Sequence, residues 1–204
     1  MAQFQKTIDY FLWIGNNAIH IWSQKERSAQ QVVFHPKESI PYVPKFHAVW
    51  EGTDCPDQLR RMIGGKFRAR MSRILMAVPD DISCIEEKAL EEFAMFARSS
   101  MSEKKFLMVP QALILEPALE KYIAITWSCR CFSVSLVQNK AVIKKNWTDI
   151  SSNQENLLSE VKKICPYENL PVIYPQIDTS PFPLAFGKGI PLEDIANHAS
   201  VFIK

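Results

Sequence analysis

Apolar and polar positions alternate along this chain in short bursts whose period changes from two to nearly four and back. Residues 7–14 (TIDYFLWI) are rich in aromatic and β-branched side chains, and residues 18–23 (AIHIWS) follow after the turn signal Gly15-Asn16-Asn17. This pattern predicts a hairpin. Residues 31–34 predict a third strand, and Pro36, Pro41 and Pro44 then keep the chain extended or looped. A helix is predicted after a cap at Thr53 or Asp54, with Pro56 in its first turn. Leu59, Met62, Ile63 and Phe67 lie on one face of it, and Gly64-Gly65 weakens its middle. Residues 74–78 (ILMAV) are apolar throughout, which predicts a strand buried on both faces. Ser83 and Glu86 form a capping box for the next helix, whose buried stripe is Ala89, Leu90, Phe93, Ala94 and Ala97.

Residues 106–109 predict another strand and residues 110–119 a short returning helix. The theme then repeats. Strands are predicted at residues 122–126, 132–138 and 141–146. Ser152 or Asn153 caps a helix running to Ile164, with Leu157, Leu158, Val161 and Ile164 on one face. Residues 170–174 predict a strand and residues 192–202 a last helix. A meander followed by helix and strand thus occurs twice, which predicts an α/β protein of two lobes, residues 1–120 and residues 121–204.

Composition changes this picture little. A net charge of +2 gives no electrostatic reason to expect nucleic acid. The local basic run Arg60, Arg61, Lys66, Arg68, Arg70 and Arg73 reads either as a solvated helix end and loop or as a contact with acidic lipid or a partner. No apolar run approaches the ~18 residues of a membrane-spanning helix, and the N-terminus lacks the order of a secretory signal. Cys55, Cys84, Cys129, Cys131 and Cys165 are odd in number with no Cys-x-x-Cys spacing, so reduced thiols in a cytoplasmic protein are expected. His20, His35, His47 and His198 are scattered, and no metal site is expected. Neither a Gly-x-x-x-x-Gly-Lys loop nor a Gly-x-Ser-x-Gly elbow occurs.

The stretch from Asp54 to Ile114 carries a family resemblance. DCPDQLRRMI, a basic stretch, ILMAVPD, ISCIEEKA and FLMVPQALI stand in the order of "TEKMLRYFI", a basic stretch, a strand ending "VPSG", "ITEVERRA" and a strand into "EEPLAAAIG". The chain resembles the MreB-like bacterial actins. That resemblance implies two ribonuclease-H-like lobes of the actin-like ATPase fold, without room for both of the large inserted subdomains. It also shows where the chemistry departs. Trp13, Ile14, Gly15 and Asn16 stand at the first phosphate loop, "DLGT", so an indole replaces its acidic residue. Ala124 to Arg130 stands at the second, "DIGGGTT", with Trp127 at its tip. Met108 or Val109 stands near the glutamate that positions water.

Gly15, Asn16, Asn17, Ser128 and Arg130 are therefore the candidate phosphate-loop residues, in degenerate form. Gly15 reads more simply as a turn needing positive φ, and Arg130 as a solvated side chain. Trp127 reads either as closing the cleft or as anchoring a partner. The resemblance implies a non-catalytic scaffold or assembly protein, with no cofactor and no metal. It would act through protein partners, namely itself or a membrane-associated assembly component of the pilus or secretion-platform type. Nucleic acid is not expected, and membrane contact is at most peripheral. The alternative is a filament-forming ATPase with altered loops, in which backbone amides near Gly15 and Arg130 hold ATP phosphates with magnesium.

Overall fold

The structure is a computed structural model that describes residues 8–35, 40, 42–50, 55–63, 72–98, 106–177 and 184–202. Thr53, Asp54, Gly64, Gly65 and Phe67, with Pro36 and Pro41, lie outside the described residues. The first lobe holds strands β1 (Tyr10–Ile14), β2 (Ala18–Ser23), β3 (Ser28–Val33), β4 (Ile74–Val78) and β5 (Phe106–Pro110). Its helices are α1 (Cys55–Met62), α2 (Cys84–Arg98) and the single turn α3 (Gln111–Ile114). The second holds β6 (Lys121–Trp127), β7 (Cys131–Gln138), β8 (Ala141–Asp149), β9 (Val172–Pro175) and β10 (Lys188–Ile190), with helices α4 (Gln154–Ile164) and α5 (Leu192–Ala199).

The two five-stranded sheets have one topology, β3-β2-β1-β4-β5 and β8-β7-β6-β9-β10. In each the first three strands form an antiparallel meander and the last two join in parallel. These are two ribonuclease-H-like lobes. The large inserted subdomains are lacking: Val33 leads to α1 by way of a short 3-10 helix at Lys45–Trp50, and Asp149 leads to α4 through a turn.

Strand parity sorts the side chains into three cores. In β1, Leu12 and Ile14 point outward to join Ile74 and Met76 of β4 and Leu90, Phe93 and Ala97 of α2. Phe11 and Trp13 point the other way, into a core shared by the lobes with Leu75, Tyr122 and Ile195. In β6, Ile123, Ile125 and Trp127 pack outward with Phe132 and Leu157. Burying one large apolar side chain is worth about 1.5–3 kcal/mol, so the shared core contributes to holding the lobes together. α5 closes it from the first-lobe side: Gln24 Nε2 on the β2 flank donates to Ala196 O at 2.8 Å.

Local signals place the helices. Ser83 and Glu86 form the expected box: Ser83 N donates to Glu86 Oε2 at 2.8 Å, and Glu86 N donates to Ser83 Oγ at 3.3 Å. Asn153, not Ser152, caps α4 by accepting from Asn156 N. Arg60 closes the end of α2, donating to the carbonyls of Phe96 and Ala97 at 2.9 and 3.0 Å. Three expectations differ. The returning helix after Pro110 is one turn long, the last helix ends at Ala199 before a 3-10 turn, and β10 is a strand that the pattern did not mark.

Gly187 has φ +85°, and a Cβ there would meet Val172 O at 2.7 Å. Gly187→Ala is expected to cost roughly 1–3 kcal/mol, read as a lowered denaturation midpoint with the native fold retained at low denaturant.

Candidate functional site between the lobes

The site lies where the strand ends of the two sheets face each other. Four turns meet there: Gly15-Asn16-Asn17 after β1, Asp80-Asp81 after β4, Gln111 after β5, and Ser128-Cys129-Arg130 between β6 and β7. The β4 carboxylates are the hub. Asp80 is buried, and its Oδ2 accepts from Ala112 N at 3.0 Å and from Thr126 Oγ1 at 2.7 Å. Lys145 Nζ donates to Asp80 O at 2.8 Å and stands 3.6 Å from Oδ1, an oxygen that makes no hydrogen bond. Burial raises the Asp80 pKa, and Lys145, Thr126 and the Ala112 amide only partly offset it.

Asp81 and Glu86 grip the tip of the second lobe. Asp81 Oδ2 accepts from Ser128 Oγ at 2.7 Å and from Arg130 Nε at 2.8 Å. Arg130 Nη1 donates to Glu86 Oε1 at 2.9 Å, and Nη2 donates to Asp81 O at 3.0 Å and to Glu86 Oε2 at 3.3 Å. His47 Nε2 also lies 2.9 Å from Glu86 Oε1. Burial works to raise the Glu86 carboxyl, but the Ser83 amide, Arg130 and His47 overcome it and hold the pKa down to about 2. Burial likewise opposes the Arg130 charge, and Glu86 and Asp81 raise its pKa in spite of it.

Each candidate residue now has a place. Gly15 does not take the positive φ that a glycine turn suggests, since Gly187 is the glycine with positive φ among the described residues. Gly15 N instead donates to Ala18 O at 2.9 Å and closes the hairpin. Lys45 Nζ donates to Asn17 Oδ1 at 2.8 Å, Asn17 O accepts from Phe34 N, and Asn16 lies half-buried beside it. Ser128 and Arg130 do come together, but on carboxylates, so the solvated reading of Arg130 is corrected. Trp127 neither closes the cleft nor anchors a partner: β6 runs through it, and parity turns its ring into the outer core beside Phe132.

Neither Met108 nor Val109 lines the cleft. Met108 packs against the first-lobe core and Val109 lies in the shared one. The residue facing β1 from the end of β5 is Gln111, whose Nε2 donates to Ile14 O at 2.7 Å. Thr126, in the stretch expected at the second phosphate loop, belongs to the site, and so do Asp80, Asp81 and Lys145, which were not among the candidate site residues. The one available signal was the Asp-Asp pair directly after a doubly buried strand.

A phosphate cradle needs backbone amides that a ligand can approach closely. Here the β6–β7 tip has no glycine, its Arg130 and Cys131 amides face Ser128 Oγ, and two carboxylates close over it. Thiol chemistry is also disfavoured, because burial pushes Cys131 up to about 11 and raises Cys129 as well. No three His, Cys, Asp or Glu gather as a metal cluster among the described residues.

Comparison with solved structures agrees with this architecture. An AlfA filament bound to AMPPNP superposes with a TM-score of 0.50 at 10% identity, covering 82% of this chain and 81% of that one. MreB 5 of Spiroplasma citri bound to AMPPNP gives 0.46 at 10% identity, covering 78% of this chain and 57% of that one. A Bacteroides thetaiotaomicron protein with actin-like ATPase fold gives 0.42 at 11% identity, covering 100% and 91%. The chain thus spans little more than half the length of the MreB 5 structure. It matches no family model and no curated protein sequence. The fold is that of the actin-like ATPases.

Arg130→Met would strand Asp81 and Glu86, whose side chains are 10% exposed. The expected loss is roughly 2–4 kcal/mol of unfolding free energy, lowered somewhat by the partial exposure of Arg130. The pH dependence gives a second reading. Glu86 contributes its stability fully above its unfolded value of 4.5 and loses it as pH falls through about 2. Removing Arg130 raises the folded value toward 4.5, so urea unfolding followed from pH 6 downward should show the variant losing less stability to acid than the parent.

Proposed function

We propose that this chain is a non-catalytic actin-like scaffold that works through protein–protein contacts. The observation that carries this reading is the Arg130–Asp81–Glu86 network at the β6–β7 tip. A tip whose guanidinium already satisfies two carboxylates has no cationic donor left over for a phosphate. A polyanion entering at that tip would have to compete with Asp81 and Glu86 for the one guanidinium there. The bulky Trp13 indole in the shared core adds to the argument, since it fills space beside the first turn. Such a protein keeps the rigidity of the two-lobe body and offers its surface to partners.

A nucleotide-binding ATPase would behave differently in one simple measurement. A ligand at 100 times its dissociation constant adds about 2.7 kcal/mol to native stability. Thermal unfolding in millimolar ATP with magnesium is therefore expected to leave the midpoint unchanged, as is ADP with magnesium. An upward shift of several degrees with either nucleotide would sink the scaffold reading.

A further inference from the structure

We propose that the outer edge of β8 is a docking site for an extended, acidic segment of a partner protein, which adds to the second sheet as a sixth strand. β8 ends the sheet order, and no strand among the described residues pairs with its outer side. A bulge at Ile143 interrupts its nine residues, and the regular run from Lys144 to Asp149 is long enough to template a partner strand. Alternation gives the edge two distinct faces. Ile143 and Trp147 share one face and are 59% and 56% exposed, unusual for side chains of that size. The Trp147 ring is held in position by Lys145, whose Nζ lies 5.9 Å from the ring centroid.

The opposite face and its flanks are basic. Lys144 is exposed there, its Nζ donating to Lys163 O at 3.0 Å, and Lys140, Lys162 and Lys163 are exposed nearby. Of the acidic groups beside them, Glu160 is already engaged by Lys163 at 2.7 Å. This charge decides between occupants. A second copy pairing edge to edge would set lysine-rich strands against one another, which cross-strand pairing penalises. A strand with apolar residues on one face and carboxylates on the other satisfies both faces at once. The inference goes beyond the scaffold reading and does not rest on it, because a nucleotide in the cleft would leave this edge as it is.

Calorimetric titration of the full chain with a nine-residue capped peptide of alternating Glu and Val tests the proposal, beside a peptide of alternating Lys and Val. The acidic peptide is expected to bind and the basic one not. The double variant Ile143→Thr, Trp147→Thr, which removes the apolar face without adding charge, should weaken binding of the acidic peptide roughly tenfold while keeping the parent's thermal midpoint, since both side chains are exposed. Lys144→Glu, which leaves the apolar face intact, should weaken it as well. Failure of the acidic peptide to bind, equal binding of both peptides, or unchanged binding by the variants would overturn the proposal. So would sedimentation showing a dimer of the parent that the double variant dissolves, because the occupant would then be a second copy.

Discussion

One guanidinium joins the two lobes where an actin-like cleft would otherwise be open. Arg130 comes from the second lobe, and both of its carboxylate partners come from the first. Its geometry depends on a capping box: Glu86 is turned toward the cleft because Ser83 N holds Oε2 from behind. Helix α2 therefore starts, and the cleft is closed, through the same side chain. Little freedom remains to change one without the other, since Glu86 at another angle would leave both the helix end and Arg130 short of a partner.

The two carboxylates are 10% exposed and the guanidinium 29%, so the network is only partly screened by water. Phe11, Trp13, Tyr122 and Ile195 lie in the shared core between the lobes. Tyr122 satisfies its own hydroxyl within this core by donating to Ala112 O at 2.7 Å, on the residue whose amide serves Asp80. Exposed ion pairs contribute about 0–1 kcal/mol, and leaving a buried charge unpaired costs several times more. The carboxylates here sit nearer the second case, so specificity of lobe placement is what the arrangement secures.

The elements were largely legible in the sequence and the cleft partners were not, for one physical reason. Strands and helices declare themselves through local period, and β2, β4 and the end of α4 fall where the apolar pattern puts them. The capping box is equally local. The partner of Arg130 is some forty residues away in the chain, and nothing near Arg130 announces it. Trp127 shows how narrow the margin is: one further residue of strand exchanges the cleft for the outer core. Gln111 was hidden differently, because a proline-led single turn replaced the expected helix and brought its amide to Ile14.

Lys145 connects the cleft to the surface. Its ammonium donates to Asp80 O on one side and stands over the Trp147 ring on the other, while its backbone belongs to the edge strand β8. One side chain therefore spans from the cleft carboxylate's own backbone to the exposed edge of the second sheet. Asp80 and the edge strand are thus joined by one lysine in addition to the packed core the lobes share, because Lys145 reaches from β8 across to the turn after β4 while Ser128 and Arg130 reach the same turn from the β6–β7 tip.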